Sequence, residues 1–273
     1  MTTVVIALDG SKYAERALGV GGWLAGRLGG DVELVSAVDE EAQRAEREHY
    51  LASVVPSLVG AHRVGTAVVV DRDPAGVIHE SVRRAGDAVA CLATHGRGAS
   101  AALVGSVATD VVARGRDPVV LVGPLVSEDR SGAGVVTCAD ERPESVALVR
   151  LAAGWGDRLA EPVVVVVVAE PVPPPLDDRP ARRLFGPDGD ASAFVATLIE
   201  AAECDGVTGE VVWDPISPAD GLITYLDEHP AALVVIASRA RKALEHAVFG
   251  HTDAAAVHSS PSPVLVVPRD GLA

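Results

Sequence analysis

Two tandem α/β domains are predicted from three features of the sequence, each domain a Rossmann-like, doubly wound five-stranded parallel sheet of order 3-2-1-4-5 flanked by helices. The first feature is an internal repeat. Val4-Val5-Ile6-Ala7-Leu8-Asp9 aligns with Val135-Val136-Thr137-Cys138-Ala139-Asp140 at an offset of 131, and Arg27-Leu28 aligns with Arg158-Leu159 at the same offset. The offset becomes 144 at Pro74-Ala75 and Pro218-Ala219, and 145 at Pro118-Val119 and Pro263-Val264. The second feature is the alternation of short apolar runs with longer amphipathic stretches, the pattern of βαβ units around a parallel sheet. The third is near-continuous valine, such as the six valines at 163–168, which suits strands covered by helices on both faces.

In the first copy the strands fall at 3–8, 32–38, 66–70, 88–93 and 119–122. Ser11 stands where it can cap the helix that carries Ala14, Ala17, Leu18 and Leu24. Asp39-Glu40-Glu41 reads as the solvated first turn of a helix, where negative charge suits the positive end of the dipole. Asp73-Pro74 supplies an N-cap followed by proline at the first helical position. The second copy places strands near 135–139, 163–169, 207–213, 232–237 and 264–267, with Pro143 and Pro218 at helix starts. The jump of 13 in the offset locates an insertion at 170–190, whose six prolines predict a long surface loop. The domains are therefore expected at 1–123 and 135–273, joined by a small, polar linker at 124–134. Each copy ends in an apolar fifth strand, Val119 to Val122 and Val264 to Val267. Its edge would be unpaired alone, so the copies are expected to form an intrachain pseudo-dimer about a pseudo-twofold axis, and a homodimer of whole chains is compatible with this.

Composition narrows the function. Lys and Arg number 23 against 38 Asp and Glu, a net charge of −15, which opposes binding to a nucleic-acid backbone. Hydrophobic residues make up 48% of the 273 and aromatics only 3%, so the core is aliphatic. Cys91, Cys138 and Cys204 are too few and too scattered for a disulfide framework or a zinc site, and fit a reducing compartment. The start MTTVVIALDG has no basic n-region, and the longest apolar run, 163–169, is far short of the ~20 residues of a membrane span. A soluble, cytoplasmic protein with no membrane partner is expected.

Open α/β sheets bind ligands at the carboxyl ends of their strands, where the strand order reverses. Asp9 ends the first strand, and Val38-Asp39 ends the second. Thr94-His95-Gly96-Arg97-Gly98 follows the fourth strand and leads through Gly105-Ser106 into a helix. Such a turn offers unpaired backbone N–H groups and the positive end of a helix dipole, which suit phosphate, and Ser106 and Arg97 could add donors. On a bland reading, Gly96 and Gly98 are turn residues and Ser106 is a surface position.

Asp9-Gly10-Ser11, Ala93-Thr94-His95-Gly96-Arg97-Gly98, Gly105-Ser106-Val107-Ala108 and Asp117-Pro118-Val119-Val120-Leu121-Val122 together resemble the universal stress protein family, and both copies carry the resemblance. The family pattern after the fourth strand is Gly, two residues, Gly, nine residues, Gly and then Ser or Thr, and it marks members that bind ATP. The resemblance implies that Asp9 contacts the nucleoside, that the backbone of Val38 meets adenine, and that Gly96, Gly105 and Ser106 serve the phosphates. Thr94, His95, Arg97 and Val107 lie beside them, and Asp9 could assist a Mg2+ ion that accompanies ATP. Two departures stand out: Ala93 replaces the first glycine, and eight residues rather than nine separate Gly96 from Gly105.

The second copy keeps Asp140, but Gly10-Ser11 becomes Glu141-Arg142, Ala169 stands for Val38, Ala240 for Gly96 and His251 for Ser106. The spacing from Ala240 to Gly250 keeps nine residues. Residues 1–125 carry 12 basic and 15 acidic side chains, net −3, whereas 126–273 carry 11 and 23, net −12. A polyanionic ligand meets the more repulsive field in the second copy, which therefore reads as a degenerate pseudo-site.

Other signals are weaker. Gly96-Arg97-Gly98-Ala99-Ser100-Ala101 fits a dinucleotide fingerprint in letters but follows the fourth strand instead of the first. No HExxH, Walker A or nucleophile-elbow sequence is present. The expectation is an ATP-binding regulatory protein of the stress-response type, with the nucleotide in the first copy and binding favoured over turnover. The alternatives are an interaction or structural protein that binds no nucleotide, and a slow ATPase.

Overall fold

The computed structural model describes residues 1–94, 105–115, 117–127, 134–169, 190–214, 217–238 and 257–268. His95, Gly96, Arg97, Ala240, Gly250 and His251 lie outside the described residues, as does nearly all of the predicted loop at 170–190.

The first copy runs β1 (Thr3–Ala7), α1 (Arg16–Arg27), β2 (Asp31–Val38), α2 (Arg44–Val54), β3 (Val64–Val70), α3 (Pro74–Ala85), β4 (Ala88–Ala93), α4 (Ser106–Arg114) and β5 (Val119–Val122). The second runs β6 (Val135–Cys138), α5 (Glu144–Leu159), β7 (Val163–Ala169), α6 (Ala191–Ala202), β8 (Val207–Trp213), α7 (Pro218–Glu228), β9 (Leu233–Ser238) and β10 (Val264–Pro268). All ten strands form one sheet, β3-β2-β1-β4-β5-β10-β9-β6-β7-β8. Each half has the order 3-2-1-4-5, and every pairing is parallel except at the join, where β10 runs antiparallel to β5 with Leu265 opposite Val120. Instead of two separate five-stranded sheets there is one, because each apolar fifth strand satisfies the other's edge. The antiparallel join turns the carboxyl ends of the two halves toward opposite edges of the sheet.

Helices α1, α2, α5 and α6 cover one face, and α3, α4 and α7 the other. The valine run of β7 divides accordingly. Val165 and Val167 pack under α5 and α6, whereas Val166 and Val168 pack under α7. One cluster is continuous across the copies, joining Ile6, Leu24 and Val120 to Trp155, Leu159 and Leu265. At its rim Arg27 pairs with Glu161, and Arg158 donates to the Thr2 hydroxyl at 2.9 Å.

Asp73 caps α3 as the sequence predicts, accepting from the Gly76 N–H at 3.1 Å, with Pro74 at the first helical position. Its carboxylate also receives a two-pronged contact from Arg114 at the end of α4, at 2.8 and 2.6 Å. This hydrogen-bonded guanidinium, with the Gly76 N–H, lowers the Asp73 pKa to about 2. The same α3–α4 seam holds His79 so closely that a Cβ at Gly115 would stand 2.7 Å from its Cε1. Its Nε2 is buried with no hydrogen-bond partner among the described residues. Burial first, and then the charge of Arg114, lower its pKa below the ordinary 6.5. A depressed histidine contributes stability that is present above its unfolded value and is lost as pH falls below it. The melting temperature is therefore expected to drop between pH 7.5 and 5.5, and His79→Leu to flatten that slope. An unchanged slope in the variant would contradict this.

Candidate functional site

The crevice of the first copy lies where β1 and β4 are neighbours and the chain leaves them in opposite directions. Ile6 and Cys91 are the last pair of the β1–β4 ladder, and beyond it the chain runs on from β1 to Asp9 and from β4 to Thr94. Asp9 Oδ1 accepts the Ser11 N–H at 2.9 Å, and the positive φ of 82° at Gly10 closes the turn. Ser11 Oγ in turn accepts the Ala14 N–H at 3.2 Å. These two small caps stack a turn in front of the helix, so α1 begins at Arg16 rather than directly after Ser11 as the sequence suggests. Arg16 then ties this turn to the Pro124 carbonyl beyond β5. Asp9 Oδ2 has no hydrogen bond among the described residues, and the side chain is only partly buried.

Just beyond β4, Thr94 is fully buried and donates its N–H to the Val122 carbonyl at 3.0 Å. Its own carbonyl accepts the Gly105 N–H at 2.5 Å, which brings together the two ends of the segment that carries His95, Gly96 and Arg97. Gly105 is the N-cap of α4 and offers no side-chain cap. The first-turn N–H groups of Ser106 and Val107 are therefore left without a side-chain cap, with Ser106 exposed and Val107 resting against the core. Asp9, Thr94, Gly105, Ser106 and Val107 are thus gathered at one edge of the sheet.

Val38 closes β2, as expected, but its carbonyl accepts the Asp71 N–H at 2.9 Å within the β2–β3 ladder. In a parallel ladder both backbone groups of one residue point to the same side, and Val35, which accepts the Leu8 N–H at 2.9 Å, points to the other. By that alternation, the β2 backbone groups that face the crevice above β1 are those of Ala37. The Asp39 and Glu40 N–H groups are both taken by Gln43 Oε1, each at 3.1 Å, so the acidic run forms a solvated turn leading into α2.

Sequence reasoning missed the polar seam between α1 and α2 beside Asp9. Tyr50 donates to Glu15 Oε1 at 3.4 Å, and Lys12 holds the other Glu15 oxygen at 3.1 Å. Partial burial, with the charges of Glu15 and Asp9, pushes the Tyr50 pKa up to about 12, so its hydroxyl keeps its proton. Arg47 donates to Ser36 Oγ at 2.8 Å, and Ser36 donates to the Leu8 carbonyl at 2.5 Å.

The second copy repeats the backbone but not the open carboxylate oxygen. Asp140 Oδ1 accepts the Arg142 N–H at 3.0 Å and the Ser145 hydroxyl at 3.2 Å, while Arg142 Nε lies 3.2 Å from Oδ2. Both carboxylate oxygens are therefore engaged. The Ala169 carbonyl accepts the Asp214 N–H at 3.1 Å, matching Val38 in the first copy. Among the described residues no group of three or more His, Cys, Asp or Glu side chains is placed to hold a metal, and no helix is long and apolar enough to cross a membrane.

The comparisons agree with this architecture. The chain covers nearly the whole length of several solved structures. It matches a universal stress protein from Archaeoglobus fulgidus DSM 4304 with TM-score 0.69 and 17% identity, over 98% of both chains. A protein of Pseudomonas aeruginosa UCBPP-PA14 assigned to the universal stress proteins matches with TM-score 0.64 and 15% identity, over 99% of this chain and 94% of that one. The cytoplasmic domain of a prokaryotic cation chloride cotransporter shares the fold more distantly, with TM-score 0.51, 12% identity and coverage of 99% and 97%. No curated protein matches the sequence. The family model described as the universal stress protein family matches twice, at residues 1–123 and 134–268, and so the chain belongs to the universal stress protein family as a tandem, two-copy member.

Proposed function

We propose that the first copy is an ATP-binding regulatory site and that the second is a pseudo-site with a structural role. The observation that carries this reading is the contrast between two aligned carboxylates: Asp9 keeps Oδ2 without a partner at the crevice mouth, whereas Asp140 is closed off by Arg142 and Ser145. A free carboxylate oxygen suits the hydroxyls of a ribose, and an uncapped helix start suits phosphate. Asp9 would take the nucleoside, with Ala37 supplying the backbone groups that face adenine. Gly105, Ser106 and Val107 would take the phosphates, joined by Thr94, His95, Gly96 and Arg97 from the connecting segment. An open carboxylate oxygen and an uncapped helix start suit the two ends of a nucleotide, and a Mg2+ ion that entered with the phosphates would have Asp9 as its candidate carboxylate. Denaturing the purified protein and weighing the released small molecule by mass spectrometry tests this reading. An adenine nucleotide is expected at up to one per chain, and a chain that releases none and takes up none on titration would contradict it.

A further inference from the structure

The geometry points to Ser36 and Arg47 as a positioning pair that holds Asp9 in its ligand-ready orientation. Ser36 is buried at 2% exposure, and its hydroxyl has one proton and must spend it on one acceptor. Because Arg47 Nη1 donates to Ser36 Oγ at 2.8 Å, that proton is directed to the Leu8 carbonyl, 2.5 Å away. The Leu8 carbonyl belongs to the peptide unit whose nitrogen is that of Asp9. Holding this plane restricts the direction in which the Asp9 side chain leaves the strand, and so supports the turn in which Oδ1 accepts from Ser11 and Oδ2 stays free.

The internal repeat shows that the fold does not need this pair. At the offset of 131, Ser36 becomes Val167, fully buried, and α6 contains no basic residue. The strands around Val167 nevertheless keep the same ladder: the Ala139 N–H donates to the Val166 carbonyl at 3.0 Å, as Leu8 does to Val35 at 2.9 Å. A buried hydroxyl joined to a guanidinium is an unfavourable substitute for valine unless it does something valine cannot. It occurs in the copy whose carboxylate is open, and is missing where Arg142 and Ser145 hold the carboxylate instead. For its ligand the inference rests on the nucleotide reading above, but the positioning itself is measurable without any ligand.

The test compares Ser36→Val with Ser36→Thr, which have the same shape and differ only in the hydroxyl, and adds Ser36→Ala and Arg47→Met. Amide hydrogen exchange at Ser11, whose N–H is bonded to Asp9, is expected to quicken in the Val, Ala and Met variants and to stay near its starting rate in Ser36→Thr. ATP affinity is expected to fall about 3- to 10-fold in the same three variants, as for loss of one hydrogen bond, with Ser36→Thr retaining it. In an Asp9→Ala background Ser36→Val should change affinity no further, a coupling that a merely structural role would not produce. Equal exchange and equal affinity in Ser36→Val and Ser36→Thr would overturn the inference. Faster exchange in a protein that binds no ATP in any form would uphold the positioning and overturn the nucleotide reading.

Discussion

Leu265→Ala is expected to lower the unfolding free energy by about 2–5 kcal/mol, the range for truncating a fully buried leucine. Leu265 is fully buried, lies opposite Val120 across the antiparallel join and level with Val235 of β9, and belongs to the cluster that runs from Ile6 to Trp155. The loss falls on both copies, since each closes its last edge with the other. Trp23 lies in α1 and Trp155 in α5, so fluorescence reports on each half. A urea titration should show one transition, shifted as a whole to lower denaturant. Two transitions, with only that of the second copy moved, would show that the halves are held independently.

Asp9→Ala is expected to weaken ATP by about 1.5–3 kcal/mol, or roughly 10- to 150-fold, the effect of losing a hydrogen bond to a charged group. Asp9 also supports the turn before α1 through the Ser11 N–H, so its removal lowers stability as well, by about 0.5–2 kcal/mol as for a lost cap. Asp9→Asn separates the two roles, because an amide oxygen can still accept from Ser11 while the charge is gone. A lowered melting temperature with unchanged affinity in Asp9→Ala would leave Asp9 as a cap and nothing more. Gly105→Val should abolish binding. The backbone there, at φ −60° and ψ 152°, accepts any L-residue, so the variant folds while its branched side chain crowds the start of α4. Calorimetry should then detect no ATP uptake.

The fold was legible because it is written locally and twice. Valine runs, proline at helix starts and the 131-residue offset fix the strands to within one or two residues, and an apolar fifth strand in each copy required a partner. What escaped depended on tertiary parity and on side chains meeting across elements. Sequence shows that Val38 ends a strand, but not which way its carbonyl points, and register gives it to Asp71. Sequence shows that Ser11 can cap, but not that Asp9 does so first and delays α1 to Arg16. Ser36 and Arg47, eleven residues apart on a strand and a helix, form no recognisable spacing, and only the packing of α2 beside β2 brings them together. At Asp140 the change from Gly-Ser to Glu-Arg was visible as lost smallness, yet the return of Arg142 onto the carboxylate needed the folded turn.

Calorimetric titration of the full chain with ATP decides most directly between one open site and two, run on the starting protein, Asp9→Ala and Asp140→Ala side by side. One nucleotide per chain is expected, retained in Asp140→Ala and lost or weakened at least tenfold in Asp9→Ala. Two equivalent sites, or binding that survives Asp9→Ala and disappears in Asp140→Ala, would contradict the assignment of the nucleotide to the first copy.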